Sequence, residues 1–147
     1  PTRRSSDLEA DALRPGSSYS TYLYSEEYFT LLRSRLKAGG IAVTWNCTKR
    51  VKNAFVRVFP FVWEIGEVLI GSESDIGLDV SVIGPRLDAP FTKQYYGQLN
   101  EELRALLAYY VQMNPPISIT PDLDRAPFGD INSDLHPKDE FAVPDGK

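Results

Sequence analysis

The sequence predicts an α/β fold in which parallel strands are covered by helices and closed by an antiparallel hairpin. Three observations carry this expectation. Strand-like and helix-like segments alternate over residues 8–71, and such alternation argues for a parallel sheet with covering helices. The strand-like pieces are short and rich in β-branched residues, as buried strands are. Finally, Phe61–Ile65 and Glu67–Gly71 flank Gly66, the arrangement of a hairpin that would add an antiparallel edge strand.

Residues 1–8, Pro-Thr-Arg-Arg-Ser-Ser-Asp-Leu, have no apolar period. They read as an adapter-derived or disordered N-terminus, and such a segment is set aside before the fold is considered. Leu8 to Ala10 reads as the end of a strand, and the Pro-, Gly-, Ser- and Tyr-rich stretch 14–22 as a loop. Ser25 is placed to cap a helix, with Glu26 and Glu27 in the first turn, where the positive end of the macrodipole favours them. Phe29, Leu32 and Leu36 fall on one face with Leu31 beside them, and Gly39-Gly40 supplies a left-handed stop. Ile41 to Trp45 is the next strand. Thr48 can cap a second helix, whose Val51, Phe55 and Val58 share a face, with Phe59 flanking and Pro60 as terminator.

From Ser72 to Phe91 the pattern is irregular. A further helix is expected from about Gln94 to Met113, stopped by Pro115-Pro116. Its Leu99, Leu103, Leu106, Leu107 and Tyr110 read as core. The organisation is then residues 1–8 as a non-native or disordered start, 9–113 as a partial α/β domain and 114–147 as an extended, Pro- and Asp-rich tail.

Composition narrows the function classes. The 147 residues fit one domain, with the apolar and charged fractions of an ordinary globular protein. A net charge of −4, with Lys and Arg scattered, gives no footprint for nucleic acid. The single cysteine, Cys47, excludes an internal disulfide and suits a reducing compartment, so a cytoplasmic location is expected. No apolar run approaches the ~20 residues of a membrane span.

Several runs, taken in order and spacing, carry a likeness. They are Glu9-Ala10-Asp11-Ala12-Leu13-Arg14-Pro15, then Leu23-Tyr24-Ser25-Glu26-Glu27-Tyr28-Phe29, then Leu36-Lys37-Ala38-Gly39-Gly40 with Trp45. Val58-Phe59-Pro60, Leu69-Ile70-Gly71-Ser72 and Asp130-Ile131-Asn132-Ser133-Asp134 follow. Together they resemble the C-terminal half of spermidine synthase-like proteins, the polyamine aminopropyltransferases. The resemblance implies a Rossmann-like class I methyltransferase sheet, and transfer of a propylamine or methyl group from an S-adenosyl donor. It implies S-adenosylmethionine or its decarboxylated form as cofactor of an intact parent, and a small-molecule amine or other acceptor as substrate.

Within that resemblance Asp11 is the candidate catalytic residue, since a carboxylate can hold an ammonium and accept its proton as the amine attacks. The same Asp also suits the capping of the loop that follows a strand. Tyr24 and Trp45 are the candidate substrate-binding residues, with core or loop anchoring as their other reading. One departure is pronounced: the family carries an Asp-x-x-Asp-Pro pattern here, and this chain has Asp11-Ala12-Leu13-Arg14-Pro15. Arg14 puts a permanent cation where a polyamine nitrogen would lie. At ~4 Å such like charges repel by about 4 kcal/mol at an effective dielectric near 20, which argues against an ordinary polyamine acceptor.

Nucleotide binding in the resembled fold depends on a Gly-rich turn after a strand. Gly39-Gly40 follows a helix instead, so this segment by itself is expected to bind no cofactor and to be inactive alone. No metal site is expected: Asp130, Asn132 and Asp134 match three positions of a calcium loop, but Leu135 and Phe141 stand where Gly and Glu are needed. His136 is the only histidine. The alternative reading is a stand-alone, non-catalytic interaction domain, a possible homo-oligomer, pairing through the open sheet edge near Leu8–Asp11.

Overall fold

Ser25 and Thr48 start the two helices that build the core. In the computed structural model, which describes residues 8–9, 20–96, 100–119, 130–136 and 139, both have extended backbones. Ser25 Oγ accepts from the Tyr28 amide and Thr48 Oγ1 from the Val51 amide. Each satisfies an amide that a helix start leaves without a partner. The elements in chain order are β1 (Leu8–Glu9), a 3₁₀ turn (Ser20–Tyr24), α1 (Glu26–Arg35), β2 (Ile41–Trp45), α2 (Lys49–Val58), β3 (Phe61–Ile65) and β4 (Val68–Ser72). After a second 3₁₀ turn (Val80–Val82) come α3 (Ile83–Asp88), α4 (Pro90–Tyr96), α5 (Asn100–Met113) and β5 (Ile117–Ile119).

The sheet corrects the predicted fold class. Its order is β1-β2-β4-β3-β5, and the pairs β2–β4, β3–β4 and β3–β5 are all antiparallel. The expected parallel, Rossmann-like sheet is therefore not formed. The one parallel neighbour is β1, two residues long, with Leu8 opposite Ala42 and Glu9 opposite Val43. The physical reason lies in the hairpin. The α2 crossover returns the chain in the direction of β2, but β3 does not lie beside β2. The tight turn at Gly66 folds β4 into the gap, so β4 pairs on both sides and is central, not the expected edge. Gly66 sits at φ +56, a conformation that favours glycine, and a Cβ there would also lie 2.5 Å from the Tyr110 hydroxyl oxygen.

The helices α1 and α2 cover one face of this sheet. Val51, Ala54, Phe55 and Val58 recur at the spacing of one helical face, and all are buried. They meet Phe29 of α1 and Ala42, Val62 and Leu69 of the strands, with Tyr24 and Phe59 closing the cluster. Phe29 and Phe55 pack edge to face at 5.0 Å, and Phe55 and Phe59 are 4.6 Å apart. Each such ring contributes roughly 1.5–3 kcal/mol by leaving water. Gly71 lets the aromatic layer approach the sheet, because a Cβ there would fall 2.5 Å from Phe59 Cγ.

Helices α3 to α5 form a looser layer. Lys93 and Arg104 both pair with Asp88, and the Tyr110 hydroxyl donates to the Ile65 carbonyl at 3.2 Å. Where one helix was expected from about Gln94 to Met113 there are two, α4 and α5, and Leu99 lies outside the described residues. Leu103 and Leu107 are partly covered, but Leu106 is 63% exposed and Tyr110 37%. The expected core face is thus only partly buried. The segment read as an extended tail supplies β5, and its residues 130–136 and 139 dock at the starts of α1 and α2. Among the described residues, no helix is long and apolar enough to cross a membrane.

Candidate functional site

At its C-terminal end β2 delivers Trp45, then Asn46, Cys47 and the cap residue Thr48 into the start of α2. This is where the polar side chains of the molecule converge. Thr48 Oγ1 donates to Asp139 Oδ2 at 2.6 Å, Asn132 Nδ2 donates to the same oxygen at 2.7 Å, and Arg50 Nη1 donates to Asp139 Oδ1 at 2.8 Å. The Asp139 amide returns a bond to Asn132 Oδ1 at 3.2 Å. Burial works to raise the Asp139 carboxyl, and the bonds from Thr48, Asn132 and Arg50 outweigh it, holding the group below the usual carboxylate range. The anion also lies by the first turn of α2, whose dipole favours negative charge.

The same segment holds both helix starts. Arg50 Nε donates to Asp130 Oδ1 at 2.7 Å, and Asn53 Nδ2 donates to the Asp130 carbonyl at 3.1 Å. The Glu26 amide, at the start of α1, donates to the Asn132 carbonyl at 3.1 Å, and the Asp134 amide donates to Glu27 Oε2 at 3.1 Å. Residues 130–136 and 139 therefore act as a clasp across the N-termini of α1 and α2. Asp130 and Asn132, weighed in the sequence as calcium ligands, are engaged with Arg50 and Asp139. Among the described residues, no group of three or more His, Cys, Asp and Glu is placed to hold a metal.

The candidate residues are placed as follows. Asp11, with Arg14, lies outside the described residues. Tyr24 is fully buried in the core cluster, against which Cys47 packs. It holds the loop after β2, and contact with a ligand would require it to leave that position. Trp45 is half-buried at the end of β2, with Nε1 donating to Glu67 Oε2 at 3.3 Å. Tyr24 and Trp45 thus attach to the same loop, Tyr24 at Cys47 and Trp45 at the adjoining strand end.

Burial pushes the Cys47 thiol up to about 11, against the opposing effect of the backbone amides of Cys47 and Thr48. A thiol held protonated at neutral pH is a poor nucleophile. Beside it, Glu64 accepts from Asn46 Nδ2 at 2.7 Å and Lys52 Nζ at 2.6 Å. The buried hydroxyls of Thr21 and Thr44 lack a hydrogen-bond partner among the described residues.

Sequence reasoning missed Asp139, Asn132, Arg50 and Thr48 as one cluster. Its nearest signal was the Asp130-x-Asn132 pattern; nothing local joins it to an Arg 80 positions away.

No known protein family, curated protein or solved structure matches this chain.

Proposed function

We propose that this chain is the acceptor-side part of a transferase that uses an S-adenosyl donor, with its chemistry at the edge where β1 and β2 leave the sheet. The observation that supports the reading is the register of these two strands. Glu9 lies opposite Val43 in a parallel pair, so both chains exit at the same end. Asp11 follows Glu9 by two positions, and Trp45 follows Val43 by two.

In this reading the acceptor's lone pair attacks the carbon beside the donor's sulfonium. The new bond to carbon forms as the C–S bond breaks, and the sulfur leaves as a neutral thioether. The acceptor's proton passes to the Asp11 carboxylate, a general base worth ~10²–10⁴ in rate. Trp45 offers a ring wall to the acceptor or the donor's adenine, and Tyr24 and Asp139 hold the loop beneath it. With Arg14 in place of an acid, the acceptor is neutral or anionic, not a polyamine. S-adenosylmethionine, or its decarboxylated form, would be held by sequence ahead of Leu8.

The test is the gene sequence upstream of the Glu9 codon. The proposal expects an open frame encoding a strand, a Gly-rich turn and a helix. An initiation codon just ahead of Leu8 would overturn it and favour the second reading, a non-catalytic domain pairing through its edge, for which the terminal position of β1 speaks.

A further inference from the structure

We propose that the outward face of α5, together with the free edge of β5, is a self-association surface that takes a second copy of this chain across a two-fold axis. The inner face of α5 is accounted for: Leu87 of α3 is buried, Leu107 and Val111 line a cleft with it, and Arg104 is tied to Asp88. The outer face is apolar, and none of the described residues covers it. Leu106, Tyr109 and Met113 recur at i, i+3 and i+7 and are 63, 61 and 61% exposed, so they form one stripe on the helix. Tyr110 adds its edge at 37% exposure, and Ile117, four positions after Met113 in β5, is 56% exposed.

Three properties fit a second copy. The first is area. These five side chains present on the order of 500 Å² of mostly apolar surface, at the top of the range for a monomer's largest patch. That supplies the greater part of the ~800 Å² per partner of a standard interface. The second is charge. Residues 105–121 contain no Asp, Glu, Lys or Arg, so two copies meet there without repulsion despite a net charge of −4 each. Tyr and Met are also the residue types enriched in interface centres.

The third is geometry. β5 ends the sheet, with its inner side paired to β3 and its outer side unpaired among the described residues. An antiparallel edge strand can pair with its own copy about a two-fold, which makes a closed, isologous interface. The stripe is held rigidly at its end, where Tyr110 bonds Ile65 and the Asn114 amide bonds the Tyr110 carbonyl at 2.9 Å. β1 is at the other end of the sheet, so this association leaves the proposed site open.

Sedimentation velocity on the full chain over a wide concentration range tests the proposal. The expected result is a monomer–dimer equilibrium, with the dimer at twice 16.5 kDa. The doubly substituted Leu106→Glu/Met113→Glu chain should lose the dimer while keeping its far-UV circular dichroism, since both side chains already face solvent. A chain that stays monomeric, or forms polydisperse aggregates, would overturn the proposal and leave the stripe to another partner. Hydrogen exchange of the unsubstituted chain decides the matter independently of the variant. Protection rising with concentration over residues 105–119 supports it, and protection confined to β1 overturns it.

Discussion

Asp139 accepts a 2.6 Å hydrogen bond from Thr48 Oγ1 across 91 positions of sequence. One hydroxyl thereby caps α2 and anchors the C-terminal segment, and the buried carboxylate also collects Asn132 and Arg50. The loop after β2, which carries Trp45 and Cys47 on the way to Thr48, is framed by this contact.

Removing the carboxylate charge should loosen the clasp. Asp139→Asn is expected to lower stability by about 1–3 kcal/mol, the cost of leaving buried donors poorly matched. Urea unfolding of the two proteins reads this directly as a lower midpoint. An unchanged midpoint would show that the segment does not brace the helices.

The pH dependence has a definite sign. The native Asp139 carboxyl titrates below its ordinary value, so its contribution is present above the unfolded pKa of ~3.9. It is lost as pH falls through the lowered native value. Glu73, lowered chiefly by its hydrogen bond to Arg33, acts with the same sign but is exposed, so its share is small. Unfolding midpoints measured from pH 6 down to pH 2 should fall steeply below about pH 4. The fall should be shallower in Asp139→Asn.

Cys47 should be a slow thiol. With its pKa pushed up to about 11, the native thiolate fraction at pH 8 is roughly 200-fold below that of an ordinary cysteine of pKa ~8.5. Labelling with a disulfide reagent in buffer and in denaturant compares the two states. Equal rates would contradict the burial of this loop.

The sheet's tolerance of side chains at Gly71 is a fourth test. Gly71→Ala places a methyl against Phe59 and Phe55 and is expected to cost roughly 1–3 kcal/mol by overpacking. Phe55→Ala, which opens a cavity instead, should cost roughly 3–5 kcal/mol. Thermal unfolding of both checks the aromatic layer.

What the sequence made legible was local. Ser25 and Thr48 each cap a helix through an amide three residues on, and the hairpin at Gly66 is set by adjacent residues. Strand order was not legible. The helix α2 fixes the direction of β3 relative to β2, but nothing near it says that β4 will occupy the space between. Helical periodicity also found the apolar residues of α5 without showing which would be covered, since Leu106 and Leu107 both fit the pattern. The clasp was out of reach for a further reason: Arg50 meets Asp130 and Asp139 only through tertiary packing, 80 and 89 positions on.

The most direct test of the proposed chemistry is a transfer assay on the protein encoded by the whole open reading frame. S-adenosylmethionine and its decarboxylated form would each be supplied, with thioether release followed by mass spectrometry. The account predicts release with one donor, reduced at least ~100-fold by Asp11→Asn, the loss of a general base. No release with either donor, or release that Asp11→Asn leaves unchanged, would contradict it.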